Sequence, residues 1–142
     1  MRKFFTGFMM ALIVLFLLPF NTSAAESILF GAGEWDKVGT SETIKLYRQQ
    51  VDVTQRVSSG GGNFQLRVTN AQANNFYVVW LYEYDPNDFN GTLIGKKYGY
   101  GNSNLTWDVS KYAKEEADGK AEIYAHIGYA DIEEDITINF YD

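Results

Sequence analysis

The sequence predicts an all-β protein, a single-domain antiparallel β-sandwich of jelly-roll type with seven to eight strands and one short helix near 111–117. Three observations carry this expectation. Apolar residues alternate with polar ones at a period of two along most of residues 26–142. Polar, glycine-containing clusters punctuate those runs at SSGGGN (58–63), NAQANN (70–75), DPNDFNG (85–91), GYGNSN (99–104) and ADIEED (130–135). The remaining length suits one core rather than two. A closed β-barrel is the alternative way of pairing so many short strands.

The chain opens with a targeting pattern, read as a signal peptide over residues 1–25. Met1 to Lys3 forms a basic start, MMALIVLFLLPF an apolar run, and NTSAA the small residues a signal peptidase reads, with cleavage after Ala24 or Ala25. The secreted domain is then 26–142, with no stable membrane anchor after cleavage. A retained span is the competing reading of the same apolar run.

Within the domain the strands follow in order. Ile44 and Leu46 alternate with Thr43, Lys45 and Tyr47, and Phe64, Leu66 and Val68 alternate with Gln65, Arg67 and Thr69. FYVVWLYEYDP (76–86) is the most aromatic run; Phe76, Val78, Trp80, Tyr82 and Tyr84 share one face, and Tyr77, Val79, Leu81, Glu83 and Asp85 the other. Phe76, Val78 and Trp80 are assigned to the core, with Val79 and Leu81 against a second layer. Asn90-Gly91 is read as a hairpin turn. Further strands carry Leu105, Trp107 and Val109, then Ala121, Ile123, Ala125 and Ile127, and last Ile136, Ile138 and Phe140. Between the first two of these, Ser110 is placed as the cap of a helix over Lys111 to Ala117 that Gly119 stops. VDVTQRVSSGGGNFQLRV and WDVSKYAKEEADGKAEIYA echo each other, which is read as two similar crossovers rather than a duplication. The pattern loosely resembles the jelly-roll sandwiches of many carbohydrate-binding modules, without a diagnostic motif.

Composition narrows the function. There are 12 Lys and Arg against 18 Asp and Glu, a net charge of −6, and loss of Arg2 and Lys3 makes the balance more acidic. No nucleic-acid partner is expected, because phosphate binding needs a basic patch. The absence of cysteine in an exported chain suggests a bacterial exoprotein rather than a disulfide scaffold.

No catalytic constellation emerges, and no enzyme activity is expected. There is no cysteine nucleophile and no G-x-S-x-G elbow, and His126, beside Glu122 and Tyr124 on its strand, reads as a half-exposed strand histidine. Gly31-Ala32-Gly33 and Gly99-Tyr100-Gly101 lack the context of phosphate loops. Glu83 and Asp85 share a strand face at the spacing glycosidases use, and are read as a solvated strand end. DPNDFNG fails the EF-hand frame; a looser calcium site at Asp85, Asp88 or among Asp131, Glu133, Glu134 and Asp135 is the alternative to solvated turns, and no cofactor or metal is assigned.

Tyrosine is what stands out, with 10 in the chain. Its hydroxyl needs water or a partner, so such rings belong at boundaries and surfaces. The turn at Asn90-Gly91 sets Tyr98 and Tyr100 across from Tyr82 and Tyr84, and these four are the expected ligand-binding residues. The expectation is a secreted, non-catalytic module that binds carbohydrate, a cell surface or another protein. A small effector (enzyme inhibitor, antibacterial or membrane-active toxin) comes second and a small carbohydrate-active enzyme third. Ligand identity and oligomeric state are not encoded in any pattern here.

Overall fold

The computed structural model describes residues 35–86 and 88–142; the expected signal peptide, residues 1–25, and the Gly31-Ala32-Gly33 turn lie outside them. The described residues form two packed antiparallel sheets, a β-sandwich and not a closed barrel. The strands are β1 (Lys37–Leu46), β2 (Val51–Val53), β3 (Val57–Ser59), β4 (Asn63–Thr69), β5 (Phe76–Asp85), β6 (Asp88–Tyr100), β7 (Ser103–Asp108), β8 (Ala121–Gly128) and β9 (Glu134–Tyr141), with helix α1 (Ser110–Glu115) between β7 and β8. One sheet is ordered β1-β9-β4-β7, the other β2-β8-β5-β6, with β3 also paired to β8. The short pieces β2 and β3 take the count among the described residues past the expected seven to eight.

Period-two alternation builds the core directly. Ile44, Leu46, Phe64, Leu66, Val68, Ile136, Ile138 and Phe140 point inward from the first sheet, and Val79, Leu81, Ile123, Ala125 and Ile127 meet them from the second. Phe64 and Phe140 stack with centroids 5.8 Å apart. Each fully buried aliphatic or aromatic side chain contributes about 1.5–3 kcal/mol relative to leaving it exposed.

Strand β5 has the opposite facing from the one expected. Tyr77 is fully buried, whereas Phe76 and Trp80 are only partly covered and lie on the outer face. Val78 is buried but sits on that outer face, outside the core cluster. The neighbouring strands impose this parity. A one-residue slip moves every side chain of a strand to the other face, and β8 must turn Ile123, Ala125 and Ile127 inward and Glu122 and His126 outward. Because Leu81 pairs with Ala125 and Trp80 with His126, β5 inherits that choice.

Edge strand β6 then makes room for the buried ring. A side chain at Gly99 would drive its Cβ into the Tyr77 ring, and one at Gly95 would lie 3.1 Å from Trp107. The Tyr77 hydroxyl donates to the Gly101 carbonyl at 2.8 Å, and burial pushes its pKa up to about 12.

The hairpin also turns earlier than expected. Asp85 pairs with Asp88, so the chain reverses around Pro86, and Asn90 and Gly91 lie inside β6. Asp followed by Pro is itself a turn signal, with Pro suited to the second turn position. α1 is shorter than expected; Val109 occupies the cap position, and the Asp108 carboxylate accepts from the Ser110 amide at 2.9 Å. Gly119, with φ +71°, closes a turn beyond the helix rather than ending the helix itself.

This parity has a direct test in thermal or denaturant unfolding. Tyr77→Ala should cost about 3–5 kcal/mol, the range for emptying a large aromatic site, and Trp80→Ala distinctly less. Gly99→Ala, which drives a methyl into the Tyr77 ring, should cost about 1–3 kcal/mol. A greater loss for Trp80→Ala than for Tyr77→Ala would reverse the assignment.

Candidate functional site

The outer faces of the two sheets differ in chemistry. The first is polar: Arg67 lies over the Tyr141 ring at 3.8 Å and bonds Gln65, which reaches Thr106 at 3.2 Å, while Ser41 bonds Asn139 at 2.7 Å. The second is aromatic. Phe76, Trp80, Tyr82 and Tyr84 on β5 are flanked by Tyr98 and Tyr100 on β6 and by Tyr124 and His126 on β8. Of the seven exposed large hydrophobic residues among those described, Val51, Val53, Leu93, Tyr98, Tyr100 and Tyr129 all belong to this side; Trp35 is the exception. Contiguous exposed apolar surface of this kind marks interaction sites in soluble domains.

The face divides into two ring clusters with a bridge between them. At one end Phe76 stacks on Tyr98 with centroids 5.8 Å apart and tilts against Tyr100 at 5.3 Å. In the middle Trp80 meets Tyr129 edge-on at 5.7 Å, and Lys96 Nζ lies 5.2 Å from the Trp80 ring and 5.0 Å from Tyr98. At the other end Tyr82 stacks on Tyr124 at 5.5 Å and His126 packs 4.8 Å from Tyr82. The four tyrosines expected at the site therefore share a face but do not form one cluster. Tyr98 is opposite Val78 and Tyr100 opposite Phe76, so Tyr98 lies roughly 13 Å along the sheet from Tyr82 at about 3.3 Å per residue. The earlier turn at Pro86, together with two irregularities in the β5–β6 pairing, is the reason.

Two backbone irregularities carve a groove of about 680 Å³ at the Tyr82 end. Between β2 and β3 the chain leaves the edge of β8, and the buried Thr54 holds the gap closed. Its amide donates to the Ala125 carbonyl at 2.9 Å, and its hydroxyl accepts from the Ala125 amide at 2.9 Å. Gln55 and Arg56 are thereby lifted into the groove wall, and Arg56 lies 4.0 Å over the Tyr84 ring with Nη1 3.6 Å from Glu122. On β6 a bulge after Leu81 brings Leu93 to the outer face and packs Ile94 against the core. Gly91, at φ +63°, passes under Tyr124, whose hydroxyl would lie 2.5 Å from any Cβ there. Val53, Tyr82, Tyr84, Tyr124 and His126 complete the lining.

Arg56, Tyr124 and the groove itself escape sequence reasoning. The only local signal was Thr-Gln-Arg interrupting an alternating run, which marks an irregularity but not its direction. His126 stands on the outer face beside Tyr124, where alternation placed it.

Glu83 departs from the expected solvated strand end. It points inward at the end of β5 and is 7% exposed. Its pKa is raised first by burial and then by Glu116, Glu115 and Asp85, with Lys111 offsetting in part. Burial likewise lowers the His126 pKa and raises that of Tyr124. The acidic stretch 131–135 is tied into the fold at Glu134, which accepts from the Gln72 amide at 3.1 Å and the Asn75 side chain at 2.6 Å. Among the described residues no group of three His, Cys, Asp or Glu is placed to hold a metal ion.

The YndA coiled coil domain model matches residues 37–140, from the start of β1 into β9 as far as Phe140. The chain belongs to that family. The domain matched here is nonetheless β-built: α1, six residues long, is the single helix among the described residues, and a coiled coil needs several heptads. No curated relative matches the chain.

Two of the shifted groups, Glu83 and His126, set opposite pH responses. Glu83 in the unfolded chain releases its proton near 4.5, before the folded protein does, so ionisation lowers stability as pH rises beyond that value. Glu83→Gln should therefore raise the melting temperature at pH 7 relative to the parent and lose that advantage near pH 4. His126 protonates first in the unfolded chain, at its ordinary 6.5, so its contribution is complete above that pH and falls away below it. His126→Gln should flatten that acid-side decline. Melting curves of both variants across pH 4–8 check the pair.

Proposed function

We propose that this protein is a secreted, non-catalytic binding module that holds a carbohydrate or cell-surface ligand against the aromatic outer face of the β2-β8-β5-β6 sheet. The observation that supports this reading is the concentration of exposed large hydrophobic residues on that face, opposite a polar face on the other sheet. Rigid rings with polar rims stack on sugar rings and lose little entropy in doing so. Tyr98 and Tyr100, 56% and 64% exposed, are the most accessible of the four tyrosines, and Tyr82 and Tyr84 form the floor and wall of the groove.

Retention of the secreted protein on insoluble polysaccharides and cell-wall preparations tests the reading. Tyr98→Ala, Tyr100→Ala and Tyr84→Ala should each reduce retention while the melting temperature stays within a few degrees of the parent. Unchanged retention in all three removes the aromatic face as the binding surface. Secretion has its own check: the mature N-terminus should be Ala25 or Glu26 by mass spectrometry, and extracellular protein beginning at Met1 contradicts it.

A further inference from the structure

The groove and the ring ladder together suggest which ligand the face suits. In a chain with 18 acidic side chains, the residues lining the groove include no carboxylate. They do include the Arg56 guanidinium and the His126 imidazole. Arg56 lies over the Tyr84 ring, and its contact with half-exposed Glu122 uses Nη1, one of the three nitrogens that carry the five N–H donors of a guanidinium. A surface pair of that kind is weak and readily shared. A second cation, Lys96, lies between Trp80 and Tyr98 in the middle of the same face. From Phe76 to Tyr84 the rings of β5 extend over roughly 26 Å at the rise of a strand, far more than one sugar ring covers. Beyond Tyr84 the adjoining hollow is predominantly acidic, with Glu116, Asp118 and Glu122 against the single cation Lys120.

We propose that this face binds an extended, carboxylate-bearing polysaccharide, its rings stacked along β5 and its carboxylates met by Arg56 in the groove and Lys96 at the centre. The proposal rests on the binding-module reading and adds charge and length to it. The acidic hollow past Tyr84 repels the same polymer, which makes Tyr84 the end of the track. Arg56 and Lys96 supply charge-assisted hydrogen bonds, while the rings supply sequence-tolerant area; an acidic glycan uses both.

Titration calorimetry of the secreted protein with oligogalacturonides of two and six units, and with a six-unit cello-oligosaccharide, tests this. The acidic hexamer should bind at least about tenfold more tightly than the acidic dimer, because linked contacts add through effective concentration. It should also bind more tightly than the neutral hexamer and weaken as salt is raised. Arg56→Gln and Lys96→Gln should each lower acidic-hexamer affinity severalfold with the melting temperature unchanged; if one variant unfolds, the other carries the comparison. Equal affinity for the neutral and acidic hexamers, or for the acidic dimer and hexamer, overturns this inference and leaves the carbohydrate-binding reading intact. No binding to any of the three, together with no retention on polysaccharide or cell wall, overturns both.

Discussion

The Tyr77 ring lying across Gly99 fixes how the second sheet is assembled. A phenol that size needs a partner strand without a side chain at that point, and β6 supplies Gly99 there and Gly95 four residues earlier against Trp107. With Tyr77 inside and its hydroxyl satisfied by the Gly101 carbonyl, the remaining residues of β5 have their directions set by alternation. Phe76, Trp80, Tyr82 and Tyr84 must then face outward. The aromatic surface is thus the complement of a packing decision made on the opposite side of the same strand.

That decision leaves the inter-sheet core without the most aromatic set of side chains on β5. The cost is an exposed apolar face on the β2-β8-β5-β6 sheet. The rings also cover one another, stacking or tilting in pairs within 6 Å. Such contacts give the face a fixed relief before anything binds, and a preorganised surface loses less entropy on binding.

Irregular backbone adds the concavity that a regular sheet lacks. Where 54–56 leaves the edge of β8, a threonine hydroxyl replaces a ladder hydrogen bond, so the detour leaves no buried amide unpaired at Ala125. The bulge in β6 performs a matching exchange, turning one aliphatic residue outward and the next inward. Both devices re-aim side chains without breaking the sheet, as bulges do near binding sites. Arg56 reaches Tyr84 because of the first, and Leu93 borders the groove because of the second.

Sequence alone determined the all-β class, the single core, the inward residues of β4, β8 and β9, and the position of a short helix. Each is a local consequence of alternation, turn chemistry and helix preference, all encoded within a few residues. It also singled out the four tyrosines that lie on one face. Tertiary structure decided which face of β5 is buried, because both faces begin apolar and only β6 and β8 distinguish them. It decided that Tyr82 and Tyr84 stand apart from Tyr98 and Tyr100, since register is the joint outcome of a turn at Pro86 and two irregularities in pairing. It brought Arg56 to Tyr84 and buried Glu83, contacts made between segments far apart in the chain, whose positions are fixed only when the strands pair.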